Sequence, residues 1–130
     1  MIVVDASVVA TALADDSDDG TSVRSRLAGE HLVAPHLIDL EVTSVVRRLN
    51  ASGHLTDQRA RQALDDLTAL RLDRAPHLPL IDRCWELRAN VTVYDASYVA
   101  LAEALGATLV TADAALSRAP GLRCAVELLS

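Results

Sequence analysis

The most constraining feature of this sequence is a helix followed at once by a short strand and an acid, within residues 91–113. The pattern predicts a helix that opens at Asp95, ends at Gly106 and leads into an apolar strand, Thr108–Thr111. Asp113 lies just past the end of that strand. A helix that returns directly to a strand is typical of α/β folds, in which the strands are mostly parallel.

The beginning of the chain repeats this pattern. Ile2–Val4 predicts a short buried strand and Ala6–Ala14 a helix, and the segment DASVVA that starts at Asp5 closely matches DASYVA that starts at Asp95. In an open α/β sheet, ligands bind beyond the carboxyl ends of the strands, so acids placed there can converge although they are far apart in sequence. Clustered carboxylates are the ligands that hard divalent cations require.

The rest of the chain continues the alternation of short strands with helices. The expected elements are a helix that ends near Leu27, a strand at residues 32–34, a helix at residues 37–50, a helix capped by Thr56 or Asp57 that ends near Leu70, a brief strand at residues 70–72, helices at residues 80–89 and 114–118, and an edge strand at residues 123–128. This order predicts one domain over Met1–Ser130, with a mostly parallel sheet covered by helices on both faces.

Length and hydropathy are those of a soluble single domain. With 130 residues, of which 51% are hydrophobic, the chain can form a two- or three-layer core without disulfides. No apolar run approaches the roughly 20 residues that span a bilayer. The apolar segment at the start of the chain ends before Asp5 and is too short for a signal peptide. Cys84 and Cys124 lie far apart without metal-ligand spacing, which suits a reducing compartment, so a cytoplasmic location is expected.

The charged residues exclude several classes of phosphate-binding protein. The formal net charge of -6 argues against a broad basic surface for nucleic acid, although acids neutralised by bound cations can themselves form part of a phosphate site. All 12 basic residues are arginine. The lack of lysine excludes P-loop proteins, haloacid dehalogenase-type phosphatases and response-regulator receivers, each of which uses a lysine.

Each acid also has a purely structural interpretation. Asp5 and Asp95 could cap the helices that follow them, and Asp113 could cap a short final helix. Asp39 and Glu41 lie on opposite edges of the apolar stripe of their helix, and helical geometry does not decide which of them faces a site.

Other polar side chains have similar alternatives. Ser7 could bond to the backbone of the first helical turn, and Thr111 could simply favour a strand. Arg48 shares the helix edge of Glu41 and is a candidate supporting residue, with a surface or rim ion pair as the alternative. Trp85 is expected in the core or at a partner interface, because aromatic residues make up 2% of the chain and provide no set of platforms for stacking bases.

Four motifs taken together resemble those of a known family. In chain order they are VVDAS at the start, LIDLEV, YDASYVALA, and LVTAD near the end. Their order and spacing resemble those of the PIN-domain ribonucleases, and specifically of the VapC-type toxins of bacterial toxin–antitoxin pairs, over nearly the whole chain. The resemblance implies a PIN-like three-layer α/β/α sandwich with a mostly parallel central sheet.

The same resemblance implies a site and its chemistry. The acids of the family and two hydroxyl neighbours fall on Asp5, Glu41, Asp95 and Asp113, with Ser7 and Thr111. It is the family pattern, and not helical geometry, that selects Glu41 over Asp39. The four acids would bind magnesium or manganese, which would activate water for the hydrolysis of RNA.

The function implied is that of a metal-dependent endoribonuclease, the toxin of a type II toxin–antitoxin pair. Such a protein is expected to be cytoplasmic and homodimeric, to act on RNA, to be held inactive by a cognate VapB-like antitoxin, and to have no membrane association. The alternatives are a non-catalytic PIN-like protein-binding module and an RNA-maturation nuclease outside any toxin pair. The presence of all four acids favours an enzyme.

Overall fold

Each of the first four strands is followed by a helix, and the resulting sheet is parallel throughout. The computed structural model describes residues 1–129, so Ser130, the last residue of the predicted domain, lies outside the described residues. The sheet has five strands in the order β3-β2-β1-β4-β5. These strands are β1 (Ile2–Val4), β2 (Leu32–Pro35), β3 (Asp73–Ala75), β4 (Thr108–Thr111) and β5 (Val126–Leu128).

Seven α-helices lie within the described residues. They are α1 (Ala6–Ala14), α2 (Asp18–Leu27), α3 (Ile38–Ala51), α4 (Asp57–Ala69), α5 (Ile81–Glu86), α6 (Val93–Leu105) and α7 (Ala114–Ser117). A 3-10 turn, Leu78–Leu80, leads directly into α5. Among residues 1–129, no helix combines the length and the hydropathy that are needed to cross a membrane.

The helices form two layers, one on each face of the sheet. From β1 the chain moves outward to β2 and β3, and then returns across the sheet to β4 and β5. Because connections between parallel strands are right-handed, the outward path places α1 to α4 on one face and the return path places α5 to α7 on the other. The contacts agree, since α1 packs on α2, α3 and α4, whereas α6 packs on α5 and on β1, β2 and β4. The predicted three-layer α/β/α sandwich is confirmed.

Helix α6 lies at the centre of the core. Its residues 96–102 are all buried, whereas the acid at its start is half-buried. A helix that is buried along such a run must be apolar on nearly every side. It packs against the central strands, where Val3, Val4, Leu109 and Val110 are fully buried. This packing fixes the amino end of α6 beside the carboxyl ends of β1 and β4.

The prediction of a strand at residues 70–72 is wrong, because pairing with β2 begins only at Asp73. Leu72 is buried as an apolar anchor, but it precedes the ladder. The strand itself is polar, and Arg74 is held by a bidentate ion pair with Asp39, both nitrogen–oxygen distances being 2.9 Å. An edge strand stabilised by an ion pair lacks the hydrophobic alternation that identifies strands in a sequence.

Three further boundaries differ from the expectation. The helix expected at residues 80–89 ends at Glu86, because the N–H groups of Asn90 and Val91 bond to the carbonyl of Leu87 and turn the chain towards α6. The edge strand expected at residues 123–128 is confined to Val126–Leu128.

Helix α6 begins at Val93 and not at Asp95. Its N-cap is Thr92, whose hydroxyl accepts from the N–H of Asp95 at 3.1 Å. The interpretation of Asp95 as an N-cap is therefore wrong.

Candidate active site

The candidate site lies where β1 and β4 pair in parallel at the centre of the sheet. The chain proceeds from β1 to one side of the sheet and reaches β4 only after returning from the other side, so this position is the topological switch point. Clefts at such points are the usual ligand sites of open α/β sheets. Asp5 directly follows β1, and Asp113 follows β4 by two residues.

Asp5 is the most buried of the four acids, with 6% of its surface exposed. One carboxylate oxygen accepts from the Ser7 hydroxyl at 2.6 Å and from the Val8 N–H at 3.2 Å, which makes Asp5 the N-cap of α1. The other oxygen accepts from the Thr111 hydroxyl. Burial raises the pKa of Asp5 and the charge of Asp113 raises it further, although the three hydrogen bonds act against this rise.

Asp113 is exposed and caps the short helix α7. One of its oxygens accepts from the N–H groups of Ala115 at 2.9 Å and Leu116 at 3.2 Å. Its own N–H donates to the Thr111 hydroxyl at 3.0 Å. Since that hydroxyl also donates to Asp5, Thr111 links the two acids across neighbouring strand ends.

Glu41 approaches the site from α3. Its carboxylate accepts from the phenol of Tyr98 at 2.6 Å, and Tyr98 is buried one turn beyond Asp95 on α6. Burial, and then the bond to Glu41, raise the pKa of Tyr98, so the phenol remains a donor at every physiological pH. The alternative acid, Asp39, is occupied by Arg74, which leaves Glu41 as the acid of α3 that faces the site.

Asp95 completes the group from the first turn of α6. Burial raises the pKa of its carboxyl, and the charges of Asp113, Glu41 and Asp5 raise it further. Asp95 also lines one cleft with Asp113 and shares its face of α6 with Tyr98, which donates to Glu41. The structure therefore brings together the four acids that the sequence singled out, although they come from four separate elements.

This donor set suits a hard divalent cation, because all four side chains supply carboxylate oxygens. Their mutual repulsion would be relieved by a bound positive charge. Within residues 1–129, however, no three Asp, Glu, His or Cys side chains already stand in positions to hold one ion together. Hydrogen bonds from hydroxyl groups orient the carboxylates of Asp5 and Glu41, so ion binding would require small side-chain movements or bridging water.

A cleft of about 470 Å³ opens beside two of the acids. Asp95 and Asp113 line it together with Arg88 and Asn90, which follow α5. Reasoning from the sequence missed Arg88, Asn90 and Tyr98. Tyr98 lies three positions after Asp95 and so shares its face of α6, which is the one signal that could have indicated it.

Arg48 is exposed on α3 and lines a different groove, formed with α1 and α4, which also reaches Ser7. No hydrogen bond or ion pair in the described part of the chain joins it to any of the four acids. Its supporting role stays a prediction. Trp85 is exposed over 63% of its surface, so a core position is wrong, whereas its expected place at a partner interface stays a prediction.

Comparisons with known proteins show the family of the chain. The model of the PIN domain family matches residues 2–122. Ribonuclease VapC1 of Mycobacterium tuberculosis is 46% identical over 128 residues, which cover 98% of this chain and 96% of the relative. Ribonuclease VapC9 of the same organism is 44% identical over 129 residues, 99% of this chain and 98% of the relative.

Two crystal structures share the fold. Mycobacterium tuberculosis VapC20, a sarcin–ricin loop cleaving toxin, superposes with a TM-score of 0.70 at 16% identity, over 94% of this chain and 96% of that chain. PAE2754 from Pyrobaculum aerophilum superposes with a TM-score of 0.69 at 26% identity, over 96% of this chain and 81% of that chain. Because the family model matches residues 2–122 and these VapC ribonucleases are 44–46% identical over nearly the whole chain, the chain belongs to the PIN-domain family, in the group of the VapC ribonucleases.

Proposed function

We propose that the chain is a metal-dependent endoribonuclease, the toxin of a type II toxin–antitoxin pair, that hydrolyses RNA phosphodiester bonds with water. The observation that supports the metal most directly is the placement of carboxylates at the switch point, where Thr111 bonds to both Asp5 and Asp113, and Asp95 lines one cleft with Asp113. A cluster of like charges at the switch point of the sheet is unfavourable unless a cation neutralises it. The relatives named ribonucleases supply the reaction class.

In this proposal each residue has a defined task. Asp5, Glu41 and Asp95 hold Mg²⁺ or Mn²⁺, directly or through water, and Asp113 is a second ligand or orients the attacking water from the exposed side of the cleft. When bound, the metal would lower the pKa of water and stabilise charge on the scissile phosphate. Ser7 and Thr111 fix the carboxylate of Asp5 by hydrogen bonds.

RNA cleavage by the purified protein, free of antitoxin, tests the proposal. We expect cleavage with Mg²⁺ or Mn²⁺, none with a chelator, and none after Asp5→Asn, Glu41→Gln or Asp95→Asn. The matched control is Asp39→Asn, two positions from Glu41, which should cleave as the wild type does because Asp39 pairs with Arg74 away from the site. Cleavage of equal rate by an Asp5→Asn, Asp95→Asn double variant would reveal a contaminating nuclease and remove the assignment.

We also propose a cognate VapB-like antitoxin that covers the acids. The net charge of -6 and the exposed carboxylate of Asp113 favour a basic partner segment, and an arginine fork matches carboxylates in geometry and charge. A structure of the complex in which the antitoxin leaves Asp5 and Asp113 open to solvent would contradict this part of the proposal.

A homodimer is the third part of the proposal. Ile81, Val93 and Tyr94 are each at least half exposed, and they line one apolar groove with Leu80. Large apolar side chains gathered on one face commonly mark a protein interface. Sedimentation of the wild type as a monomer at micromolar concentration would count against the dimer.

The two free cysteines favour a reducing, cytoplasmic location.

A non-catalytic PIN-like binding module is the second candidate, and one observation favours it. Asp5 and Asp113 both cap helices, which is a sufficient structural reason for an acid at each position. Asp95 has no such role, because Thr92 caps α6. The same cleavage assay separates the two candidates.

An RNA-maturation nuclease would use the same site, so the cleavage assay does not separate it from a toxin. An adjacent reading frame for a small DNA-binding protein would instead favour the toxin pair.

A further inference from the structure

Arg88 is a positively charged side chain in the cleft that contains Asp95 and Asp113. It is exposed, and its guanidinium carbon lies 4.2 Å from the centre of the Trp85 ring. One of its terminal nitrogens donates to the Trp85 carbonyl at 2.8 Å. The stack and the hydrogen bond hold the guanidinium in one place. Its other N–H groups are left for a ligand.

Arg88 is one of seven arginines that form no ion pair within residues 1–129, and of these seven it is the one that lines the cleft with Asp95 and Asp113. Five arginines of the described chain form ion pairs with carboxylates, namely Arg26, Arg59, Arg61, Arg74 and Arg83. Among residues 1–129, no carboxylate lies within ion-pair distance of Arg88, although two of the four acids line the same cleft. A fixed cation that is left unpaired beside a cluster of acids is available to an anion that enters the cleft.

We infer that Arg88 binds a phosphate of the RNA strand beside the scissile bond, and that Trp85 is a positioning residue that holds Arg88 in place. This inference rests on the proposed function. The acids repel the RNA backbone, so a negatively charged protein needs a local cation to guide the strand into the cleft. Arginine suits this task because its planar fork matches phosphate oxygens. The role of Trp85 differs from base stacking, since Arg88 covers one face of the indole.

Binding of a labelled single-stranded oligoribonucleotide of mixed sequence tests the inference. The measurement uses Mg²⁺ and an Asp5→Asn background, which prevents cleavage. We expect Arg88→Ala to raise Kd on the order of tenfold, because one charged hydrogen-bonded contact is lost. The slope of log K against log salt should fall in magnitude by about 0.7, the value for one phosphate contact on a single strand. Arg88→Lys should keep the slope and lose part of the affinity, because the charge stays and the fork is lost.

Trp85 gives a different signature. Trp85→Ala should raise Kd less than Arg88→Ala does and leave the salt slope unchanged, because the charge of Arg88 remains but is less fixed. Trp85 is the one tryptophan of the chain, so its fluorescence reports on the stacked guanidinium directly. RNA should change this fluorescence in the Asp5→Asn protein, and Arg88→Ala should remove that change.

The matched control is Arg71→Ala. Arg71 is exposed and lies just before β3, at the amino ends of the strands and therefore at the opposite edge of the sheet. It should alter neither Kd nor the slope, and all variants should melt at the temperature of their parent. If Arg88→Ala behaves as Arg71→Ala does while the wild type cleaves RNA, the inference falls and the proposed function stands. If the wild type cleaves nothing but RNA binding still depends on Arg88, the proposed function falls and the phosphate site stands.

Discussion

Tyr98 and Thr111 show how carboxylates can be held together without being neutralised. The partners of Asp5 and Glu41 within the described chain are hydroxyl groups and a backbone N–H, and none of them is an arginine. A neutral donor fixes the direction of a carboxylate oxygen and leaves its charge available. The ion pair of Asp39 with Arg74, two residues from Glu41, shows the opposite arrangement. This difference separates acids that can bind a cation from acids that stabilise the fold.

Asp95→Asn is expected to stabilise the metal-free protein. The pKa of Asp95 is raised in the fold, so its ionised form opposes folding, and this loss of stability develops as the pH rises from the unfolded-state pKa to the folded-state pKa and persists at neutral pH. Asparagine keeps the shape and removes the charge. Thermal melts at neutral pH with a chelator should show a higher Tm for the variant.

Asp82→Asn is the matched control for that melt, because Asp82 also lies in the first turn of a helix, α5, but is exposed, whereas Asp95 is half-buried. It should leave Tm unchanged or lower it slightly, since an acid in the first turn of a helix is mildly favourable. An Asp95→Asn variant that melts no higher than its parent would mean that the four acids do not repel one another.

At the scale of elements, the position of α6 determines where Asp95 points. Arg83 of α5 donates to both carboxylate oxygens of Glu103 on α6, at 2.7 Å and 3.2 Å, and to the Gly121 carbonyl at 2.8 Å. Glu103 also accepts from the N–H of Arg123 at 2.8 Å. This network joins α5, α6 and the loop before β5, so it holds the far end of α6 while the core packing holds its middle.

Glu103→Gln is expected to destabilise the fold by roughly 1–3 kcal/mol at neutral pH, because the largely buried guanidinium of Arg83 loses its buried charged partner and keeps only the exposed Glu86. Burial acts to raise the pKa of Glu103, but the hydrogen bonds from the Arg83 side chain and the Arg123 N–H, together with the charges of both arginines, lower the pKa overall. A lowered pKa means that the stabilisation is present above the unfolded-state pKa and is lost as the pH falls through the folded-state pKa. Urea denaturation at neutral pH and near the folded-state pKa should show the gap between parent and variant closing in acid.

Glu86→Gln is the control for the network, because Glu86 bonds to the same Arg83 at 3.1 Å but is 57% exposed. It should change the free energy of unfolding little at either pH, since exposed ion pairs contribute little. If Glu86→Gln and Glu103→Gln lower the free energy of unfolding equally, the network does not depend on the buried pair of Arg83 with Glu103.

At the scale of the whole molecule, much of the fold could be predicted from the sequence, because β1, β4 and the helices between them follow from local apolar patterns. The convergence of Asp5 and Asp113 followed from the parallel sheet. The polar strand β3 could not be predicted, because it is stabilised by pairing with β2 and by the ion pair of Arg74 with Asp39, which lies 35 residues earlier in the chain. The bond between Tyr98 and Glu41, 57 residues apart, likewise depends on the tertiary structure, because it joins helices that lie on opposite faces of the sheet.

The last prediction concerns the fold as a whole and the cation it is proposed to bind. A ligand that binds only the folded state stabilises it by an amount that grows with concentration, about 2.7 kcal/mol at a hundredfold excess over Kd. Added Mn²⁺ should therefore raise the Tm of the wild type and of Asp82→Asn equally, and should raise the Tm of Asp95→Asn less. The order of stability would then invert, with Asp95→Asn above the wild type in chelator and below it at high Mn²⁺. Wild-type melts that are the same with chelator and with Mn²⁺ would leave the four acids as helix caps and neighbours without a cation to bind.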